Sequence, residues 1–274
     1  MEKINEYTVA LRRLGAIDSD ISALTEYIKN VFTPFAPAEN PFKREALRAS
    51  ALETQAGQPD IITAFTQFWP RIVSICQNPP RVAIEDSAAG LIPVVYPADT
   101  RDFENILKEI VYKNKDAPFI ENMGASFVFS KNLQFIILSR KPYSGVTHDF
   151  FGLTEQEWIE KSIILRRHHE YAHYYTKKFL GSSRNNLHDE LIADFCGIYA
   201  AFSEYRPEWF LRFFDTRYAI YTKGQTETAA RIIKKIAEKA ALGVYELSLN
   251  PDFLAYTEPE KIEFLAARGL CEYY

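Results

Sequence analysis

The sequence predicts an α+β fold in which helix predominates, and three observations carry that prediction. Apolar residues recur at helical spacing through the first eighty residues, short β-branched and aromatic runs cluster between Arg81 and Leu138, and helical spacing returns from Glu155 onward. In the first stretch, Ile4, Tyr7, Leu11 and Leu14 mark a helix that ends before Gly15. Asp18 or Ser19 is placed to cap a second helix through Ile21, Leu24, Ile28 and Phe32. A proline-rich connector, Thr33 to Asn40, leads to a third helix, started by Asn40 and Pro41 and ended at Gly57. A fourth begins near Asp60, is expected to kink or break at Pro70, and stops at Pro79 and Pro80. Beyond it, Arg81 to Ile84 and Leu91 to Val95 read as strands and Thr100 to Lys113 as a helix. Phe127 to Phe129 and Leu133 to Leu138 read as a hairpin turning at Ser130, Lys131 and Asn132. Thr154 and Glu157 form a capping box for a helix from Glu155 to about Leu180, where Gly181 terminates it. Further helices are expected from about Asp189 to Ser203, Pro207 to Asp215, Thr226 to about Leu242, and Glu258 to Arg268. These elements divide into an N-terminal helical region, residues 1–80, and a second unit, residues 81–274, with one continuous domain as the alternative.

Composition narrows the function classes. In 274 residues, 47% are apolar and 25% charged, the ordinary globular balance. Lys and Arg number 32 against 36 Asp and Glu, a formal net charge of -4, which leaves no general basic field for a nucleic-acid backbone. Three widely spaced cysteines, Cys76, Cys196 and Cys271, suggest free thiols in a reducing compartment. The polar N-terminus lacks the apolar stretch of a secretory signal, and the longest apolar runs fall far short of the roughly 20 residues that span a bilayer. A cytoplasmic protein with neither nucleic acid nor membrane as partner is expected.

Four of the five histidines, His168, His169, His173 and His188, fall in one short stretch. His169-Glu170-Tyr171-Ala172-His173 is an H-E-x-x-H pattern inside the helix that starts at Glu155. At about 100° per residue, His173 lies about 40° around from His169 and one turn on, so both imidazoles project from one face and can grip a single ion. Glu170 points beside them, where a carboxylate can hold and deprotonate a zinc-bound water. After 16 intervening residues, Glu190 and Asp194 share a face of the next helix. Glu190 can complete the ligand set and Asp194 can accept the free ring N–H of a ligand histidine. Two His and one Glu leave a fourth position open, the arrangement of a catalytic rather than a structural zinc. Ala193, Gly197 and Ala201, four residues apart, would let the two helices pack closely.

These residues resemble the zincin metallopeptidases and, within them, the gluzincins, whose H-E-x-x-H helix is followed by a glutamate ligand in an E-x-x-x-D pattern. The resemblance spans Glu155 to Ser203, about a fifth of the chain. It implies one zinc ion held by His169, His173 and Glu190, Glu170 as general base, and Asp194 orienting a ligand histidine. It also implies a zincin-like core with a small mixed sheet before the metal helix, whose edge strand binds an extended peptide. The hairpin ending at Leu138 takes that place in chain order, and either of its strands can be the edge. A Tyr, His or Arg that stabilises the oxyanion is expected as well; Arg217, Tyr218, Tyr221 and His148 are the candidates.

Blander readings stand beside these. Glu190 at a helix start also suits the helix dipole, and His168, off the ligand face, reads as a surface or packing residue. His188 belongs to the helix-start loop or lines the pocket. Cys196 reads as a small buried apolar residue, and Arg166 and Lys177 flank the motif, where a substrate carboxylate is one possible partner. The leading function is a zinc metallopeptidase hydrolysing a peptide or protein substrate. Its rivals are a non-catalytic zinc module that uses the ion as a staple or partner-binding surface, and a metal-independent interaction protein acting through its N-terminal half.

Overall fold

The computed structural model describes residues 2–35, 60–116, 120–181 and 186–273. It is mostly helical with one small mixed sheet. Helices α1 (Glu2–Arg13) and α2 (Asp18–Phe32) open the chain. Asp18 and Ser19 lie inside the first turn of α2 rather than at its cap; Asp20, one turn in, accepts from the Ile17 N–H at 3.0 Å. The helix expected between Asn40 and Gly57 lies outside the described residues. Helix α3 (Ile61–Ile75) is capped by Asp60 and runs through Pro70 unbroken. Pro70 is on the exposed side, where water can satisfy the carbonyl that loses its partner N–H.

Strands β1 (Arg81–Ser87) and β2 (Gly90–Tyr96) form an antiparallel hairpin, as do β3 (Ala125–Phe129) and β4 (Gln134–Leu138). The two hairpins join through a short parallel seam, Val94 opposite Ile136 and Val95 opposite Ile137, giving the order β1-β2-β4-β3. Of the two candidate edge strands, β3 is therefore outermost and β4 is internal. The helix expected over Thr100 to Lys113 is shorter: α4 (Thr100–Ile106) passes into a π-helical turn over Leu107–Val111.

Strand alternation gives the sheet two buried faces. Val95, Phe135 and Ile137 pack with Phe65, Ile72, Phe103 and Ile106 of α3 and α4 on one face. Ile92, Val94, Ile136 and Leu138 belong to the larger core on the other, which also holds Leu24, Ile28 and Phe32 of α2. That second face is covered by α5 (Glu155–Phe179), which Thr154 and Glu157 cap as a capping box. Beyond α5 lies α6 (Leu187–Phe202), which starts two residues before Asp189 because Asn186 supplies the cap, accepting from the N–H groups of His188 and Asp189. Helices α7 (Pro207–Tyr221) and α8 (Glu227–Ser248) each run about two turns past the expected ends. The short α9 (Pro251–Leu254) and α10 (Glu258–Ala266) complete the order. Among the described residues no helix is long and apolar enough to cross a membrane.

Helix α5 is thus a middle layer with two working sides. Arg167 and Tyr171 reach the sheet, where both touch Glu85 on β1. His169 and His173 lie two residues on, about 200° around the axis, and face α6. Close contact between α5 and α6 comes from the small residues of α6. Ala193 and Ala201 are buried, and a Cβ on Gly197 would sit 2.5 Å from the Leu165 carbonyl oxygen. Gly197→Ala is expected to lower stability by about 1–3 kcal/mol through overpacking, although the same change in an unobstructed helix gains about 1 kcal/mol. A urea unfolding midpoint that stays level or rises contradicts the close approach.

Candidate metal centre

Two turns of α5 and the first two turns of α6 face each other across this tight contact. The His169 and His173 Nε2 atoms are 3.0 Å apart. Glu190 Oε1 lies 3.5 Å from His173 Nε2, and Glu190 Oε2 lies 3.8 Å from His169 Nε2. One donor atom from each of the three residues fits within 4.8 Å of the others. A tetrahedral ion with bonds of about 2.0–2.1 Å requires donors about 3.3–3.4 Å apart, so the three observed separations bracket the zinc geometry.

Each imidazole has a carboxylate beside its other nitrogen. His169 Nδ1 lies 2.9 Å from Asp194 Oδ1, and His173 Nδ1 lies 3.2 Å from Asp189 Oδ2. The His169–Asp194 contact is a hydrogen bond, and because a carboxylate only accepts, His169 carries its proton on Nδ1 and turns its Nε2 lone pair into the gap; the His173–Asp189 contact is a close charge pairing without hydrogen-bond geometry. Two lone pairs at that separation repel unless a proton or a cation lies between them. Burial pulls the His173 pKa down, but the Asp189 and Glu190 carboxylates more than reverse this and hold it well above the usual imidazole value. A metal must displace that proton to bind.

Charge adds a second fit. Asp189 and Asp194 are fully buried, and the Glu190 side chain is 16% exposed. Burial raises the pKa of all three, yet all three end below the usual carboxylate range: His173 does most to lower Asp189 and Glu190, and Arg217 does most to lower Asp194. Against these three carboxylates stands one guanidinium. Arg217 Nη1 donates to Glu190 Oε2 at 2.7 Å and Nη2 to Asp194 Oδ2. With neutral histidines the cluster has an excess of two negative charges, which one divalent cation offsets. The histidine, carboxylate and charge pattern therefore suits a zinc ion, with His169, His173 and Glu190 to hold it.

Glu170 is half-buried and makes no hydrogen bond or ion pair among the described residues. Arg217, a candidate for the oxyanion role, is instead committed to Glu190 and Asp194. Tyr218 and Tyr221 pack on Phe214, and His148 Nδ1 is 2.9 Å from the Leu153 carbonyl. His168 pairs with Glu258 at 3.1 Å, and His188 is buried with Nε2 3.3 Å from the Leu265 carbonyl. Cys196 is buried, and burial pushes its thiol well above the usual value. Arg166 is buried against backbone carbonyls, and Lys177 sits 5.2 Å over the Phe127 ring.

Sequence spacing missed Asp189, Tyr143 and the pairing of Arg217. Asp189 adjoins Glu190, so its acidic type at a helix start was a readable signal. Arg217 follows Phe210, Phe213 and Phe214 on the buried stripe of α7, and a cation on an apolar stripe is a second such signal. Tyr143, whose hydroxyl touches Asp194 and His169, has no local pattern to mark it.

Residues 130–239 match a family of unknown function (DUF7005), and that span holds every residue of the cluster. No curated protein and no solved structure matches the chain.

Zinc affinity is expected to rise with pH through neutrality, because His173 must give up a tightly held proton. Asp189→Asn removes the charge that does most to raise the His173 pKa, so the rise should move to lower pH while the affinity at high pH falls by about 10- to 100-fold. Chelator competition across a pH series reads both; superimposable profiles for the two proteins contradict the assignment of Asp189.

Proposed function

We propose that the chain is a zinc-dependent metallopeptidase of the gluzincin kind, with the four-stranded sheet, α5 and α6 as its zincin-like core. The proposal rests chiefly on one juxtaposition: a two-histidine, one-glutamate donor set with an unengaged carboxylate, Glu170, next to the first ligand. A bound zinc ion supplies a Lewis acid for the scissile carbonyl and lowers the pKa of water.

The chain's own residues do the rest. Asp194 fixes the tautomer that turns His169 Nε2 toward the ion, and the Asp189 charge lies against the far side of the His173 ring. Arg217 holds Glu190 Oε2, which leaves Oε1 as the better placed donor. Glu170 takes a proton from the attacking water and delivers it to the departing amine nitrogen. Arg166, one turn earlier on α5, has its pKa lowered by burial, and the Glu170 charge offsets part of that lowering through space. Strand β3 supports a peptide substrate: it is the outer strand of its hairpin, its residues Ala125–Phe129 carry no charge, and Phe127 and Phe129 rest against Tyr174 beside His173. An extended chain can add to it by main-chain hydrogen bonds.

The rival reading, a zinc module without activity, predicts the same metal content and no cleavage. A screen against a diverse peptide library separates the two. Cleavage should stop on chelation and return with zinc. Glu170→Gln should slow it by about 10²- to 10⁴-fold with zinc content unchanged. Cleavage by Glu170→Gln at the wild-type rate overturns the proposed mechanism, and zinc-loaded wild type that cleaves nothing favours the rival.

A further inference from the structure

We propose that Tyr143 is a positioning residue for the ligand His169, and that a clamp reaching back to Gly124 holds it in place. The inference rests on the metal-centre reading above and goes beyond it to the turn between β4 and α5. The Tyr143 hydroxyl donates to Asp194 Oδ1 at 2.5 Å and lies 2.8 Å from His169 Nδ1. Its single proton is directed at the carboxylate, so its oxygen is a second acceptor for the Nδ1 proton. His169 Nδ1 therefore sits between two acceptors, Asp194 Oδ1 and Tyr143 Oη. Either alone fixes the tautomer; together they fix the ring's tilt, and with it the direction of the Nε2 lone pair.

The ring of Tyr143 is buried, edge-on to Phe213 at 4.8 Å between centroids. Its backbone N–H donates to Ser162 Oγ at 3.0 Å. One turn later on α5, the guanidinium of Arg166 donates to three carbonyls of the approaching chain: Ser139 O at 2.9 Å, Lys141 O at 3.0 Å and Pro142 O at 3.4 Å. Arg166 is buried, and burial lowers its pKa to about 10, so those carbonyls stand in for lost water. The space for this fork exists because residue 124 is glycine. A Cβ there would lie 2.6 Å from Arg166 Nε and Nη2, while the Gly124 carbonyl accepts from the Ser139 N–H at 2.9 Å. Helix α5 thus carries the ligand on one turn and, on the two turns before it, grips the segment that returns to orient that ligand.

The test uses the full chain and two substitutions, singly and together. Tyr143→Phe removes only the hydroxyl. It should weaken zinc binding by about 10- to 100-fold, measured by chelator competition, and alter the visible absorption of the cobalt(II)-loaded protein, with the unfolding temperature of the metal-free protein within a few degrees of wild type. Gly124→Ala, at a residue with no contact to the ligands, should weaken zinc binding when Tyr143 is present and add nothing in the Tyr143→Phe background. Zinc affinity of Tyr143→Phe within threefold of wild type, with an unchanged cobalt spectrum, overturns the proposal. So does an equal loss from Gly124→Ala in both backgrounds. Wild type that binds no zinc overturns this inference and the metal-centre reading together, whereas zinc-binding wild type without peptidase activity sinks only the catalytic reading and leaves this one to be decided by the variants.

Discussion

Burial of excess negative charge between two helices is the constraint around which this molecule is arranged. Asp189, Glu190 and Asp194 enter the interior on one helix, and each must find a positive or donating partner there, because a buried carboxylate without one costs several kcal/mol. The partners come from three directions: His169 and His173 from α5, Arg217 from α7, and Tyr143 from the turn before α5. No single element could supply them, so the site fixes the mutual placement of four segments. Removing one partner leaves a stranded charge, which is why such clusters break as units.

Close helix contact is the second half of the same arrangement. The donor spacing across α5 and α6 requires the backbones to approach until Gly197 meets the Leu165 carbonyl oxygen. Larger side chains would widen the interface and pull Glu190 away from the imidazoles. The aromatic residues that fill the core lie outside this seam, where Trp158, Phe151, Phe202 and Trp209 pack on one another. At the closest approach the seam has Gly197 of α6 against Leu165 of α5.

How much of this could be read in the sequence depended on range. His169, Glu170 and His173 are related by one turn of one helix, and Glu190 and Asp194 by one turn of the next, so periodicity is enough to put each group on its helix. Helix starts with a matching cap, such as Thr154 with Glu157, were legible for the same local reason. Tyr143 and Arg217 lie 26 residues before His169 and 23 after Asp194, and only the folded chain brings them in. The helix does not break at Pro70, because a proline's cost depends on whether the freed carbonyl faces water, which no local pattern reveals. The outermost strand was undecidable for a similar reason: the order β1-β2-β4-β3 depends on a parallel seam between distant hairpins.

The sheet's two edges differ in what they allow. On β1, Arg81, Glu85 and Asp86 bring charge to the rim, and Glu85 is tied inward by Tyr96, Tyr171 and Arg167. A neighbouring strand gains little there, which is how native sheets resist edge-to-edge growth. On β3 nothing comparable stands guard, and its shortness, five residues, is the main restraint on unwanted pairing. Sheet extension is therefore one-sided: a bound chain and a second copy of the molecule would compete for the same rim, so occupancy by one is protection against the other.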